Sequence, residues 1–319
     1  MPVHPKFSVV IPTYNQADFL KIALRSVLDQ TLEDFEVIVV NNHSTDHTLD
    51  VVREAQDSRL RSIDFRNNGV IGASRNVGIK ASEAPYIAFL DSDDFWYEDK
   101  LATIAGAIEN DPEAGLFCHD QEIIRDDKVS KNSHYGPPDG FHGDLSDYLM
   151  LVGNCVATSA TSVAKQFVEE VGYFSEEQNL ITVEDYDLWV RMSKVCRFKF
   201  IHQVLGKQRY HPASSSSNAE LHLRSTLAIL EKHRVELQQD DQPYPKSAMR
   251  MRRAKAYFGA ARQYHRRGSL KKALGHYART FRTHPFYLHT YAASGLLLAD
   301  ALLGQRRRKK ITDAFVPGV

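Results

Sequence analysis

Short unbroken apolar runs alternate along the first part of the chain with segments whose apolar residues recur every three or four positions. Phe7-Ser-Val-Val-Ile11 reads as a buried strand, and Phe19, Leu20, Ala23, Val27 and Leu28 then fall at helical spacing. Residues 35–40 and 60–65 read as a second and third strand. Between them Ser44 or Thr45 suits the N-cap of a helix running to about Gln56. After the Asn67-Asn68-Gly69 break the pattern predicts a helix over 71–81, a fourth strand over 86–90 and a helix over 100–110. Residues 116–119 and 159–163 resume the sheet, with a helix over 165–171 and another opening at Asp185. This alternation predicts an α/β fold, a mostly parallel sheet flanked by helices. Ligands of such sheets sit outside the carboxyl ends of the strands. Three polar clusters, at 13–15, 41–46 and 91–94, follow strand ends here.

From about Ala219 the texture changes. Strand signals vanish and charge-rich helical segments follow, which sets an all-α extension over 219–319 apart from residues 1–218. Tyr257, Ala261, Tyr264, Gly268, Ala273, Tyr277 and Pro285 fit the spacing of one tetratricopeptide-like hairpin near 250–285. One such repeat cannot bury its own face. It must pack on the rest of the chain, on a flanking helix or on another subunit. The last helix, from Tyr287 to about Leu303, carries Leu296, Leu297, Leu298, Leu302 and Leu303 and is followed by five consecutive cations at 306–310. Asp300 interrupts its apolar run, which falls short of the ~20 residues that span a bilayer. An interfacial helix with a basic end and a buried helix with a solvated tail both fit.

The candidate chemistry lies in three places. Tyr86-Ile-Ala-Phe-Leu-Asp91-Ser-Asp93-Asp94 is an apolar run ending in three carboxylates. Clustered anions repel unless a cation sits between them, and carboxylates in a tight turn suit a divalent ion that also binds phosphates. A solvated acidic turn that caps the helix at 100–110 is the plainer alternative. Glu184-Asp185-Tyr-Asp187 opens a helix with Leu188, Trp189 and Met192 at core spacing, and acidic residues also favour a first helical turn through the helix dipole. Gln208-Arg209-Tyr-His211-Pro-Ala-Ser214 is a strand-to-loop segment with a four-serine run at its end. Residues 132–143, rich in Gly, Pro and His, read as a loop; either Tyr135 and His134 meet a ligand there or it is a flexible excursion.

Ser8-Val-Val-Ile-Pro-Thr-Tyr-Asn15, Val39-Val-Asn-Asn-His-Ser-Thr-Asp46, Asn68-Gly-Val-Ile-Gly-Ala-Ser-Arg-Asn76 and Leu90-Asp-Ser-Asp-Asp94 resemble the nucleotide-sugar half of family 2 glycosyltransferases. These are inverting enzymes of the GT-A fold. The likeness covers about the first 215 residues and implies a nucleotide-sugar half over 1–115 and an acceptor half over 116–218. It implies that Pro12, Thr13 and Tyr14 line the nucleotide site, that Arg75 approaches the base or diphosphate, and that Asp91 faces the ribose. Asp93 would bind a divalent ion, Mg or Mn, that bridges the phosphates. Asp185 would be the catalytic base, with Glu184 orienting the acceptor or the base. Arg209 would fold over the diphosphate, and His211 would be a metal ligand or a phosphate donor. The family often has two acidic residues after the second strand, whereas this chain has Asn41 and Asn42. The Asn42 carbonyl can accept from a uracil or thymine N–H, so a UDP or dTDP donor is expected, with weaker discrimination because the amide also donates.

Composition trims the alternatives. The 319 residues carry no net formal charge, which argues against a nucleic-acid partner. The three cysteines are far apart and lack ligand spacing, as expected of buried thiols in a reducing compartment. The first strand starts by Phe7, so no signal peptide is expected and the protein reads as cytoplasmic. No Gly-rich, Lys-containing phosphate loop follows strand one, against a nucleotidyltransferase. The expectation is an inverting transferase acting on a glycan or lipid-linked acceptor in cell-surface polysaccharide or glycolipid assembly, its tail in peripheral contact with the membrane. A non-catalytic nucleotide-sugar-binding scaffold that works through its helical tail is the alternative.

Overall fold

The structure, a computed structural model, describes residues 5–125, 128–210, 218–239 and 244–303. The chain divides into two compact units, one of residues 1–149 and 154–214, the other of 150–153 and 215–319.

In the first unit, β1 (Phe7–Thr13) is buried along its whole length, as expected of a strand covered on both faces. α1 (Ala17–Leu28) follows and buries Ala17, Leu20, Ala23, Leu24 and Val27. β2 (Phe35–Asn41), α2 (Thr48–Glu54), β3 (Leu60–Asp64), α3 (Ile71–Ala81) and β4 (Tyr86–Phe89) complete a parallel set in the spatial order β3-β2-β1-β4. Register places Thr13 beside Asn41 and Val10 beside Phe89. The ends of β1, β2 and β4 therefore line one edge, and the residues after them share it.

Beyond β4 the sheet is mixed. β5 (Phe95–Trp96), α4 (Lys100–Asn110), β6 (Ala114–Arg125), β7 (Lys128–Ser133), α5 (Leu145–Leu151), β8 (Thr161–Ala164), α6 (Lys165–Glu170), α7 (Glu184–Met192) and β9 (Arg197–Tyr210) follow in turn. β8 lies antiparallel to β4 and β6, while β9 runs parallel to β6 and antiparallel to β5. The core lies mainly under α1 and α4, where Phe7, Val9, Ile11, Leu20, Val39, Leu101 and Phe117 pack together.

Three local features differ from the sequence expectation. β1 continues through Pro12 and Thr13. α2 starts at Thr48 rather than after Ser44 or Thr45, because those two residues are engaged by Asn15. Asn15 donates its N–H to Ser44 Oγ (2.9 Å) and accepts the Thr45 N–H (2.7 Å). Asp46 accepts the Thr48 N–H instead (3.1 Å). β7 forms within a polar, exposed stretch that has no apolar alternation. The cysteines are free thiols: Cys118 is buried, Cys155 and Cys196 partly so.

The second unit contains α8 (Ala219–Gln239), α9 (Lys246–Arg266), α10 (Leu270–Thr283) and α11 (His289–Leu303). Ala261, Ala273, Tyr277, Ala293 and Leu297 form a small core from the last three helices, flanked by Phe258, Tyr264 and Leu270. α9 and α10 thus find a flanking helix in α11 to bury their shared face. α8 is tied in by Arg253 on Glu231 (2.7 Å) and His276 beside Glu220 (3.3 Å). No described helix is long and apolar enough to cross a membrane. The cations at 306–310 lie outside the described residues.

Candidate active site

The edge formed by β1 and β2 is lined by the first polar cluster. Thr13 is buried, and its Oγ1 finds no hydrogen-bond partner among the described residues. Tyr14 is exposed. Asn41 is fully buried, donating to Asp64 (2.6 Å) and accepting the Ser44 N–H (3.1 Å). Asn42 donates its N–H to the Thr13 carbonyl, and its Oδ1 accepts the Asn67 N–H at 3.0 Å.

Asn68 and Gly69 turn the chain through left-handed conformations (φ 51° and 83°) into α3. This helix carries Arg75, which is 3% exposed. Nη1 donates to Glu184 Oε1 and Nη2 to Asp91 Oδ1, each at 2.6 Å. The guanidinium also lies 5.3 Å from the Phe174 ring centroid. Burial works against its charge, but Asp91 and Glu184 more than offset this and raise its pKa. Both terminal nitrogens meet carboxylates, so Arg75 ties the end of β4 to the head of α7, while its Nε finds no hydrogen-bond partner among the described residues. Gly72 permits that closeness. A Cβ there would meet Ser175 O at 3.0 Å, Phe174 Cβ at 3.2 Å and Glu184 Cγ at 3.3 Å.

The turn after β4 holds the first carboxylate triad. The Asp91 N–H donates to Ser159 Oγ (3.1 Å). Asp94 is buried and accepts the Arg209 N–H at 2.7 Å, which anchors the end of β9 to this turn. Burial, then the neighbouring Asp93 and Asp91, push the Asp94 carboxyl well above its usual range. Three carboxylates in one turn offer the hard oxygen donors that fit a divalent ion. The Arg209 guanidinium sits 5.2 Å from the Phe19 ring centroid. His211 lies outside the described residues.

The head of α7 holds the second triad. It follows Thr182, whose φ of 79° is strained for a β-branched residue. Glu184 is buried, with Oε1 on Arg75 and Oε2 without a partner among the described residues. Asp185 is partly exposed and accepts from Thr158 Oγ1 (3.1 Å) and from the Tyr186 N–H (2.7 Å). Burial and the Glu184 charge push it up to about 7, against the opposing pull of Arg75. Asp187 is 0% exposed and pairs with Arg191 at 2.7 Å. It is committed to the interior. Neighbouring residues of one short turn, Thr158 and Ser159, thus reach Asp185 and Asp91 respectively.

A third constellation carried no signal in the sequence. Asp120 on β6, His134 after β7 and His202 on β9 bring ligand atoms within 4.8 Å of one another. Asp120 Oδ2 lies 2.7 Å from His134 Nδ1 and 3.5 Å from His202 Nδ1, while Oδ1 accepts the Tyr135 N–H at 3.0 Å. The histidines are exposed and Asp120 is buried. These bonds pin the start of the 134–143 loop to the sheet, and the Tyr135 hydroxyl reaches Gln121 (3.2 Å).

A parallel half whose strand ends converge on an acidic turn, continued by a mixed half, is the architecture of a GT-A-type glycosyltransferase. The chain belongs to glycosyl transferase family 2, whose family model matches residues 8–167. It is 31% identical over 225 residues to an uncharacterized glycosyltransferase of Rickettsia conorii, covering 69% of this chain but only 36% of that protein. It is 30% identical over 214 residues to the UDP-Glc:alpha-D-GlcNAc-diphosphoundecaprenol beta-1,3-glucosyltransferase WfaP of Escherichia coli, covering 66% of this chain and 80% of that one. Among solved structures, S. aureus TarS 1–349 in complex with UDP superposes with a TM-score of 0.57 at 21% identity, over 79% of this chain and 71% of that one. The mannosyltransferase PcManGT from Pyrobaculum calidifontis, in complex with GDP-Man and Mn2+, gives 0.58 at 17% identity, over 97% and 84%. These superpositions establish the GT-A-like fold.

Proposed function

We propose that the protein is an inverting, metal-dependent transferase that moves a sugar from a nucleoside-diphosphate sugar to an acceptor hydroxyl in cell-surface polysaccharide or glycolipid assembly. One observation carries this reading: the double ion pair of Arg75 with Asp91 and Glu184. It brings Asp185 to the strand ends where nucleotide ligands of such sheets lie.

Asp185 takes the proton of the attacking hydroxyl, and a single displacement inverts the anomeric carbon without a carboxylate nucleophile. A base held near 7 is matched to neutral conditions. Arg75 positions the catalytic cluster by holding Glu184 and Asp91, and Arg209 supplies a cation for the diphosphate. Asp91 faces the ribose. Asp93 of the acidic turn would hold a divalent ion, Mg or Mn, with His211 as a further ligand. When bound, this ion stabilises negative charge developing on the leaving diphosphate. The WfaP likeness supports a UDP-type donor and a lipid-linked acceptor, and the complexes of TarS with UDP and PcManGT with GDP-Man and Mn2+ support a nucleotide-sugar donor and a metal. Pro12, Thr13, Tyr14 and Asn42 surround the base. The Asn42 carbonyl already accepts one N–H, so it has one lone pair for a uracil or thymine N–H and base selectivity is modest. The protein works in the cytoplasm at the inner face of the membrane, where its C-terminal tail makes peripheral contact.

The test is a panel of nucleotide sugars titrated with and without Mn²⁺ or Mg²⁺, followed by NMR of the product anomer. The expected result is metal-dependent binding of a uridine or thymidine donor and an inverted product. A retained anomer, or binding indifferent to metal, overturns the mechanism; a clear preference for GDP overturns the base assignment.

A further inference from the structure

The neutral chain is divided into halves of opposite sign. Residues 246–319 carry 17 lysines and arginines against two aspartates, whereas the rest carries 23 against 38 acidic residues. Within 246–303 alone the ratio is 12 to one. α8 has little share in this, and two of its glutamates are already paired, Glu231 with Arg234 and Arg253 and Glu220 with His276. The excess lies on α9 and α10.

α10 arranges part of that charge beside apolar surface. Its buried face carries Ala273, His276, Tyr277 and Thr280. At 100° per residue its outer face splits lengthwise, with Leu274, Ala278 and Phe281 on one side and Lys271, Lys272, Arg279 and Arg282 on the other, all exposed. The Phe281 ring meets Tyr291 of α11 edge-on at 5.7 Å. In the turn between the two helices Phe286 is 83% exposed and Leu288 75%. Single exposed apolar residues need no explanation, but large ones gathered beside a row of cations do.

We propose that the α10–α11 corner is a docking surface for an anionic lipid bilayer, with Phe286 and Leu288 entering the headgroup region and the α10 cations meeting lipid phosphates. Basic residues flanking an apolar strip are what an interfacial element needs, and each cation near an anionic surface adds to the attraction. A nucleic-acid duplex bound through its phosphates would use the charge but has no need of an exposed Phe and Leu, so the apolar half of the face favours lipid. The inference deepens the membrane contact of the proposed function and rests on that reading. It names a surface within the folded helices, distinct from the tail at 304–319.

The experiment is flotation of the full-length protein with phosphatidylcholine vesicles, with and without phosphatidylglycerol, at low and high salt. Its variants are F286S/L288S, K271E/K272E/R279E/R282E and a truncation of 304–319, each checked by thermal melting. The wild type should float with anionic vesicles and less so in high salt. F286S/L288S should weaken binding at least about tenfold while keeping the salt dependence, and the charge reversal should remove both. Flotation indifferent to phosphatidylglycerol overturns the proposal. So does F286S/L288S floating like wild type. In that case loss on truncation leaves the tail contact standing, and no loss removes the membrane reading altogether. A dimer without vesicles that F286S/L288S dissolves assigns the face to a second copy, and duplex DNA displacing the vesicles with no effect of F286S/L288S makes it a polyanion site; either overturns the proposal. Because flotation reads no turnover, its failure leaves the catalytic reading to be judged by donor binding and product.

Discussion

The same fold treats its two carboxylate triads differently. In each, one member is held by Arg75 (Asp91 after β4, Glu184 on α7) and one is drawn into the interior. Asp187, the interior member on α7, meets the Arg191 guanidinium. Asp94, the interior member after β4, is met by the Arg209 N–H and the Ser159 hydroxyl, and the adjacent Asp93 and Asp91 raise its proton affinity. The interior carboxylate of α7 thus has a guanidinium for a partner, whereas that of the β4 turn has a backbone N–H and a hydroxyl. In both triads one carboxyl is pushed above its usual range by burial and by its acidic neighbours, Asp185 on α7 and Asp94 after β4.

Removing the shared arginine should disturb this contrast most. Arg75→Met leaves Glu184 and Asp91 without their cation. It should cost about 3–5 kcal/mol in urea denaturation, since breaking a buried ion pair strands a charge. Arg75→Lys should recover only part, because an ammonium lacks the fork that reaches both carboxylates. Stability close to wild type in the methionine variant would show that Arg75 does not tie the halves together. Next in size, Asp185→Asn should lower turnover at least about 10²-fold while donor binding is kept and the fold is not destabilised. Near-normal transfer would move the role of base to Glu184 or Asp187.

Comparing Asp93→Asn with Asp187→Asn separates the triads. The first should weaken metal-dependent nucleotide binding at least about tenfold, as expected when an ion loses a charged oxygen ligand. The second should lower stability and leave metal dependence intact. Asp120, His134 and His202 are the control: if His134→Ala, and not Asp93→Asn, removes metal dependence, the ion belongs at that cluster. The smallest effect is in pH. With Asp185 raised to about 7, the rate at low donor should climb through about pH 7. The native state holds this proton more tightly than the unfolded chain, so the contribution of Asp185 to stability is full below the model-peptide value of 3.8 and lost as pH rises through about 7. Asp185→Asn should flatten that part of the stability profile.

Much of the parallel half is legible in the sequence because each buried strand is an unbroken apolar run and each helix keeps a period near 3.6. α3 and α4 fall where the pattern puts them, at Ile71–Ala81 and Lys100–Asn110. What is lost depends on partners distant in the chain. The start of α2 is displaced because Ser44 and Thr45 bond to Asn15, some 29 and 30 residues away. β7 is an exposed polar strand held by pairing with β6, and pairing leaves no mark on composition. At the site, the motif residues are readable singly, but that Arg75 spends both nitrogens on carboxylates 16 and 109 residues away is a tertiary fact. Asp120, His134 and His202 have no ligand spacing and meet only because β6 and β9 run side by side.

Gly72 has a consequence for anyone who would make the protein hardier. Alanine is the better helix former by about 1 kcal/mol, so position 72, inside α3, is an inviting target for thermal improvement. Yet the added methyl would press on the Ser175 carbonyl and the stem of Glu184. The gain in helix propensity is then set against a shift of Glu184 and of the Arg75 pair that holds it, so a sturdier helix at position 72 would come with a disturbed joint between α3 and α7.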